Sequence, residues 1–108
     1  MRRGEIYLVA KPGGADPKQR RPVVIVSRQV LIDSSYETVV CAPIFSKPLD
    51  LRSQVIVGPD NGLKNDSAVH CDGLMSIPKS RLTNYVGELS DAQMVELANA
   101  LRVAVGLS

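Results

Sequence analysis

Short runs of β-branched and apolar residues recur along most of this chain, each closed by turn formers. That spacing limits the possible folds more than any other feature. Glu5–Ala10 alternates Ile6, Leu8 and Ala10 with Tyr7 and Val9. Pro22–Ser27 (PVVIVS) is an unbroken β-branched run, as a strand buried on both faces requires. Thr38–Phe45 (TVVCAPIF) is another; Pro43 within it predicts a bulge or an edge, because proline has no N–H for a ladder. Gln54–Val57, Ser67–Cys71 and Leu82–Leu89 complete the set. Lys11–Arg21 holds Pro12, Gly13, Gly14 and Pro17, so it predicts a mobile loop. The stretch PDNGLKND ahead of Ser67 is dense in turn formers. Many short strands at this spacing predict a mostly β fold, a small barrel or sandwich.

The C-terminal end is different. Ser90-Asp91-Ala92-Gln93 has the pattern of a capping box, a serine N-cap with a glutamine three residues on. Met94, Leu97, Ala98, Leu101, Ala104 and Val105 then recur at helical spacing, and Gly106 marks the stop. The stripe predicts one terminal helix packed on the core. The 108 residues fit a single domain, 1–108, with no repeat or linker.

A formal net charge of +2 does not by itself announce a nucleic-acid binder. Its distribution says more. Residues 1–28 carry Arg2, Arg3, Lys11, Lys18, Arg20, Arg21 and Arg28 against Glu5 and Asp16, a balance of +5 that leaves −3 for the remainder. A basic N-terminal third can gather phosphates, or it can be a solvated loop. Cys41 and Cys71 have no paired spacing, and with one histidine they do not make a metal site; two small buried residues in strands are expected, and no metal or cofactor. The start MRRGEIYLVA turns charged too early for a signal peptide, and no apolar run approaches about 20 residues. A cytoplasmic protein with no membrane partner is expected.

The order of these pieces resembles the MazF/PemK/Kid family of toxins. RRGEIYLV is similar to the family's opening strand, and RRPVVIVS after a Gly-rich loop to its Arg-Pro motif. VVCAPIFS, GLKNDSAVHCDGLMSIPKSRL and VGELSDAQMVELANALRVAVGL resemble its later segments, so the likeness covers nearly the whole chain. The resemblance implies an SH3-like β-barrel (CcdB/MazF-like) with a C-terminal α-helix, a homodimer, and the toxin role in a type II toxin–antitoxin pair. It implies metal-independent, sequence-selective cleavage of single-stranded RNA and an antitoxin protein as partner; from the +5 balance of residues 1–28 that partner is expected to inhibit by laying an acidic, disordered segment across Arg20 and Arg21.

Cleavage of RNA by its own 2′-OH needs a base, a charge stabiliser and an acid around one phosphate, and leaves a 2′,3′-cyclic phosphate and a 5′-OH. Arg21 stands where the family has its catalytic arginine, and a guanidinium suits phosphate oxygens. On a strand through Ser67–Asp72, His70 and Asp72 share one face while Val69 and Cys71 turn to the core. A carboxylate beside the lone histidine makes an acid–base pair. Asp72 matches a family aspartate, and His70 replaces a family arginine. Phe45 occupies the place of the usual catalytic threonine, so the hydroxyl role passes to Ser46. Lys18, Arg20, Phe45 and Lys47 are expected to bind RNA, Phe45 by stacking on a base or else as a core residue. Gly73 and Met75 stand where relatives often have glutamine and arginine. Two other functions share these features: a CcdB-like toxin that binds a protein such as gyrase, and an RNA-binding barrel without catalysis. Four aromatic residues, Phe45, Tyr7, Tyr36 and Tyr85, make a thin stacking platform for the latter.

Overall fold

The computed structural model describes residues 1–10, 19–47, 49 and 51–107. Among them the order is β1 (Glu5–Ala10), β2 (Arg20–Ile25), α1 (Gln29–Asp33), β3 (Thr38–Phe45), β4 (Gln54–Val57), β5 (Ser67–His70), β6 (Met75–Pro78), β7 (Asn84–Glu88) and α2 (Asp91–Ala104). Three 3₁₀ turns cover Pro59–Asn61, Cys71–Gly73 and Lys79–Arg81. The strands run β4-β5-β3-β2-β1-β7, with β6 on the other half of β3. All pairs are antiparallel. The sheet curls into a half-barrel closed by α2, the small barrel with a C-terminal helix that the sequence predicts.

The β-branched runs are explained by burial on two sides. Val24, Ala42 and Ile44 pack with Ile6, Val55, Val69, Leu89 and Leu97 inside the barrel. Their neighbours Val23, Ile25, Val39 and Cys41 face a second core with Tyr7, Ile32, Ile77 and Leu82. Consecutive strand residues therefore serve opposite cores, and none can be polar.

Asn61 holds the seam between β4 and β7. Its Nδ2 donates to the Glu88 carbonyl (2.9 Å) and Gln93 Oε1 (2.7 Å), and its Oδ1 accepts from the Gly58 N–H (3.1 Å). Gln93 Nε2 donates to the Ile56 carbonyl at 3.0 Å. Gly62, at φ 89°, and Gly87 let the two backbones touch: a Cβ on Gly62 would strike the Val86 carbonyl, and one on Gly87 the Asn61 carbonyl.

The terminal helix has the expected ends. Ser90 Oγ accepts from the Gln93 N–H (3.2 Å) and Gln93 Oε1 from the Ser90 N–H (2.9 Å). Gly106 (φ 75°) closes it, with Leu107 N–H to the Arg102 carbonyl and Gly106 N–H to the Val103 carbonyl, the Schellman arrangement. The stripe is less buried than its spacing suggests. Leu97 is fully covered, Met94, Ala98, Leu101 and Ala104 are partly covered, and Val105 is exposed, while Ala100, outside the stripe, is also fully covered.

Other departures have local causes. β2 begins at Arg20 and not Pro22, because Arg20 and Arg21 pair with Ala10 and Val9; they are strand residues and not loop. Pro43 is neither at an edge nor in a bulge. It lies opposite Val23 on one side, and on the other it falls where β3 changes partner, from β6 at Cys41 to β5 at Ile44. A missing N–H fits there. Strand β6 (MSIP) and helix α1 were not legible, being four and five residues long without a clear period. The last strand is Asn84–Glu88, shorter than expected at both ends. No helix among the described residues is long and apolar enough to cross a membrane.

Candidate active site

Arg20 and Arg21 open β2, exposed, and Phe45, Ser46 and Lys47 leave the end of β3 beside them. Across from them runs the segment from Gly62 to Ser67. Together they line a groove of about 630 Å³. Its apolar lining is Leu8, Pro22, Ile44, Leu63 and Val86; its polar lining is Arg20, Arg21, Lys47, Lys64, Ser46, Asn65 and Ser67. Four cations and no carboxylate line it among the described residues. The ion pair among those residues, Arg2–Glu88 at 3.3 Å, lies elsewhere. An anionic chain with flat apolar bases suits such a lining.

Phe45 stands at the centre. The Arg21 guanidinium carbon lies 5.8 Å from its ring centroid. The His70 ring meets it edge-on, with centroids 4.8 Å apart at 83°. Strand register causes this contact. Phe45 pairs with Ala68, and His70 is two residues on, so both rings sit on one face above a methyl group. His70 is also opposite Gln54. The Leu49 N–H donates to Gln54 Oε1 at 2.9 Å, which turns Gln54 Nε2 toward His70 Nδ1 at 3.3 Å. With the amide so oriented, Nδ1 accepts and the proton resides on Nε2. That Nε2 is buried and has no hydrogen-bond partner.

The structure corrects the expected His70–Asp72 pair. The strand stops at His70, and Cys71–Gly73 winds as a 3₁₀ turn, so the period of two that would align the two side chains is lost. Asp72 is exposed and accepts instead from Ser53 Oγ; His70 contacts Gln54 and Phe45. Neither His70 nor Asp72 lines the groove. Phe45, 37% exposed, is not a core residue. Lys18 lies outside the described residues. Val69 and Cys71 do face the core.

Sequence reasoning missed the wall that carries Lys64 and Asn65, because a lysine in a turn looks like any solvated lysine. It also missed Gln54, whose partners only the register reveals. Gly73 has a packing reason: a Cβ there would come within 3.0 Å of the Pro43 ring. Met75 packs on the second core. Cys41 and Cys71 lie in the two different cores, Cys71 in the turn and not in a strand. Burial pushes their thiols up to about 12 and about 11, the latter helped by the Asp72 charge.

This fold and groove have relatives. Residues 2–105 match the family model described as PemK-like, MazF-like toxin of type II toxin–antitoxin system. The chain is 34% identical over 111 residues to a probable endoribonuclease MazF of Mycolicibacterium smegmatis, covering 100% of this chain and 99% of that one. It is 36% identical over 87 residues to the endoribonuclease MazF3 of Mycobacterium tuberculosis, covering 81% and 84%. Among solved structures it is similar to the Mycobacterium tuberculosis toxin MazF-mt6, with TM-score 0.83, 31% identity, and 96% and 98% of the two chains covered. A mycobacterial endoribonuclease solved with its cognate antitoxin gives TM-score 0.83 at 26% identity, covering 98% and 95%. A family match over almost the full length, on the fold and groove just described, means that this chain belongs to the PemK-like, MazF-like toxins of type II toxin–antitoxin systems.

Proposed function

We propose that the chain is an endoribonuclease toxin of the cytoplasm that cuts single-stranded RNA without a metal, through attack of the 2′-OH on its own phosphate. The observation that carries this reading is the groove: four cations, two hydroxyls and an apolar lining, without a carboxylate among the described lining residues. Arg20, Lys47 and Lys64 hold phosphates. Arg21 stabilises the charge that builds on the attacked phosphate, its planar guanidinium offering two donors to phosphate oxygens. Ser46, exposed beside it, donates its hydroxyl to a phosphate oxygen. Of the expected acid–base pair, Asp72 is exposed but outside the groove lining, so it takes the 2′-OH proton through one bridging water, and solvent water protonates the leaving 5′-oxygen. His70 in this arrangement has one nitrogen bonded and the other shielded.

The test is incubation of the pure protein with end-labelled single-stranded RNA in EDTA. Products ending in a 2′,3′-cyclic phosphate and a 5′-OH are expected. RNA that is bound but intact would sink the enzyme reading. Asp72→Asn should lower the single-turnover rate far more than it weakens RNA binding.

Two partners belong to the same reading. Val95, Val105 and Leu107 are exposed on or just beyond α2, which supports a homodimer; sedimentation as a single-chain species at micromolar concentration would contradict it. The basic groove supports an antitoxin whose acidic segment lies across Arg20 and Arg21. Their complex should weaken with salt, and a salt-insensitive complex whose footprint avoids the groove would contradict it.

A further inference from the structure

We infer that Phe45 and His70 are positioning residues for Arg21: the Phe45 ring bears the guanidinium at the groove, and the His70 ring braces Phe45 from behind the contact. The inference rests on the reading of the groove as an RNA-cleaving site. It differs from the expected roles, in which Phe45 stacks on a base and His70 moves a proton.

The chain of contacts runs in one direction. The Leu49 N–H orients the Gln54 amide, and Gln54 orients the His70 ring through Nδ1. The His70 ring meets Phe45 edge-on, the arrangement two aromatic rings prefer because a positive edge meets a negative face. Phe45 presents its ring to the Arg21 guanidinium within the range at which a cation is attracted to a π face. Each member is held by the one before it, and only the last carries the charge that a phosphate needs. Arg21 is a long exposed side chain on the first residues of a strand, with many rotamers to lose. A ring that limits them leaves less ordering to be done when the scissile phosphate arrives.

The geometry argues against the two simpler roles. The guanidinium already lies over the Phe45 ring, where a nucleobase would have to stack. Both His70 nitrogens are withheld from the groove, Nδ1 by Gln54 and Nε2 by burial, and His70 is not among the residues that line it. Ala68 beneath the rings completes the case. It is fully buried, and its small side chain leaves room for both rings above it.

The experiment compares Phe45→Leu, Phe45→Tyr, His70→Ala and His70→Phe with the parent. It reads the single-turnover cleavage rate at saturating RNA, the Kd for an RNA made uncleavable by a 2′-deoxy substitution, and the pH profile of the rate. Phe45→Leu and His70→Ala should slow cleavage about five- to tenfold, the scale of one cation–π contact at a partly shielded site. Kd should stay within about twofold, as expected for a term felt mainly in the transition state. Phe45→Tyr and His70→Phe, which keep the rings, should recover most of the rate. A weaker Kd or changed base preference in Phe45→Leu at unchanged rate would make Phe45 a stacking platform and overturn the positioning role. So would loss of rate in His70→Phe equal to that in His70→Ala, or loss of one limb of the pH profile in both, since either would show that a nitrogen is needed. A second readout needs no cleavage. The Arg21 side-chain NMR resonances should be displaced by the Phe45 ring current in the parent and in Phe45→Tyr, and return to ordinary values in Phe45→Leu. A parent that cuts no RNA yet shows this displacement sinks the endoribonuclease reading and leaves the Phe45–Arg21 contact standing. Undisplaced resonances in an active parent sink the positioning role alone.

Discussion

Asn61 and His70 are both polar side chains drawn into the barrel wall, and they are treated in opposite ways. Asn61 is 4% exposed, and its amide is bonded on both ends, to Gly58, Glu88 and Gln93. His70 has one nitrogen bonded to Gln54 and a buried one with no partner. A buried polar group without a partner weakens a fold, whereas a fully bonded one fixes its geometry. The closed joint at Asn61 ties β4, β7 and α2 together. The open joint at His70 lies beside the groove and ends at Arg21. The contrast separates what holds this barrel shut from what its groove does.

The largest expected effect is at the end of the open joint. Arg21→Ala should slow RNA cleavage about 100- to 1000-fold, the usual loss for one preorganised charge donor. Because Arg21 is exposed, its removal should shift stability by less than about 0.5 kcal/mol. Single-turnover kinetics and a urea melt measure both quantities. Cleavage within threefold of the parent would remove Arg21 from the chemistry, and a large stability loss would erase the distinction between the two joints.

At the closed joint the same measurements should give the reverse. Asn61→Ala leaves the Gly58 N–H, the Glu88 carbonyl and part of the Gln93 amide without partners. That should cost about 2–4 kcal/mol of stability and lower Tm by roughly 10 °C or more. The fraction still folded should cleave RNA within about twofold of the parent. A slow but stable Asn61→Ala protein would mean that the seam serves the groove directly.

How much of this was legible follows the range of each interaction. The half-barrel was legible because β-branched runs report burial on two faces, as Val23 and Val24 or Cys41 and Ala42 show. The capping box was legible because Ser90 and Gln93 are three residues apart. Asn61 was not, since its partners Glu88 and Gln93 lie 27 and 32 residues away and it stands in a string of turn formers. The groove was half legible. Arg21 announces itself by preceding Pro22 and a rigid strand, but Lys64 gains its place only when the turn after β4 folds against β7. The His70–Asp72 pair was misread for a local reason. A period of two was carried past His70, and the backbone turns there.

A smaller effect belongs to the helix that Asn61 anchors. Ser90→Ala removes the acceptor for the Gln93 N–H and should cost about 1 kcal/mol. Gln93 also serves the seam, so Gln93→Ala should cost more than Ser90→Ala by calorimetry. Equal costs would mean that the capping box alone, and not the seam, holds α2 to the barrel.

The smallest effect compares the wall beside His70 with the second core through the cysteines. Cys71 follows His70 directly, while Cys41 lies in the second core, and both are buried. Desolvation raises both thiols, Cys41 to about 12 and Cys71 to about 11, from an ordinary value of 9.0. A thiol raised in the folded state favours folding while it stays protonated. That contribution is whole well below pH 9, begins to fall as pH approaches 9, and is lost as pH rises toward 11 or 12, because the unfolded chain ionises first. Between pH 7 and 9 each thiol should cost about 0.4 kcal/mol, and Cys41→Ala or Cys71→Ala should each flatten that slope. Labelling of the native protein at pH 8 with a thiol reagent then reads how readily the wall beside His70 opens, with Cys41 as the second-core reference. Cys71 should react before Cys41, because its pKa is lower and an unpartnered neighbour makes local opening easier. If Cys41 reacts first, the second core opens more readily than the wall around His70, and the unpartnered His70 nitrogen fails as an account of local opening.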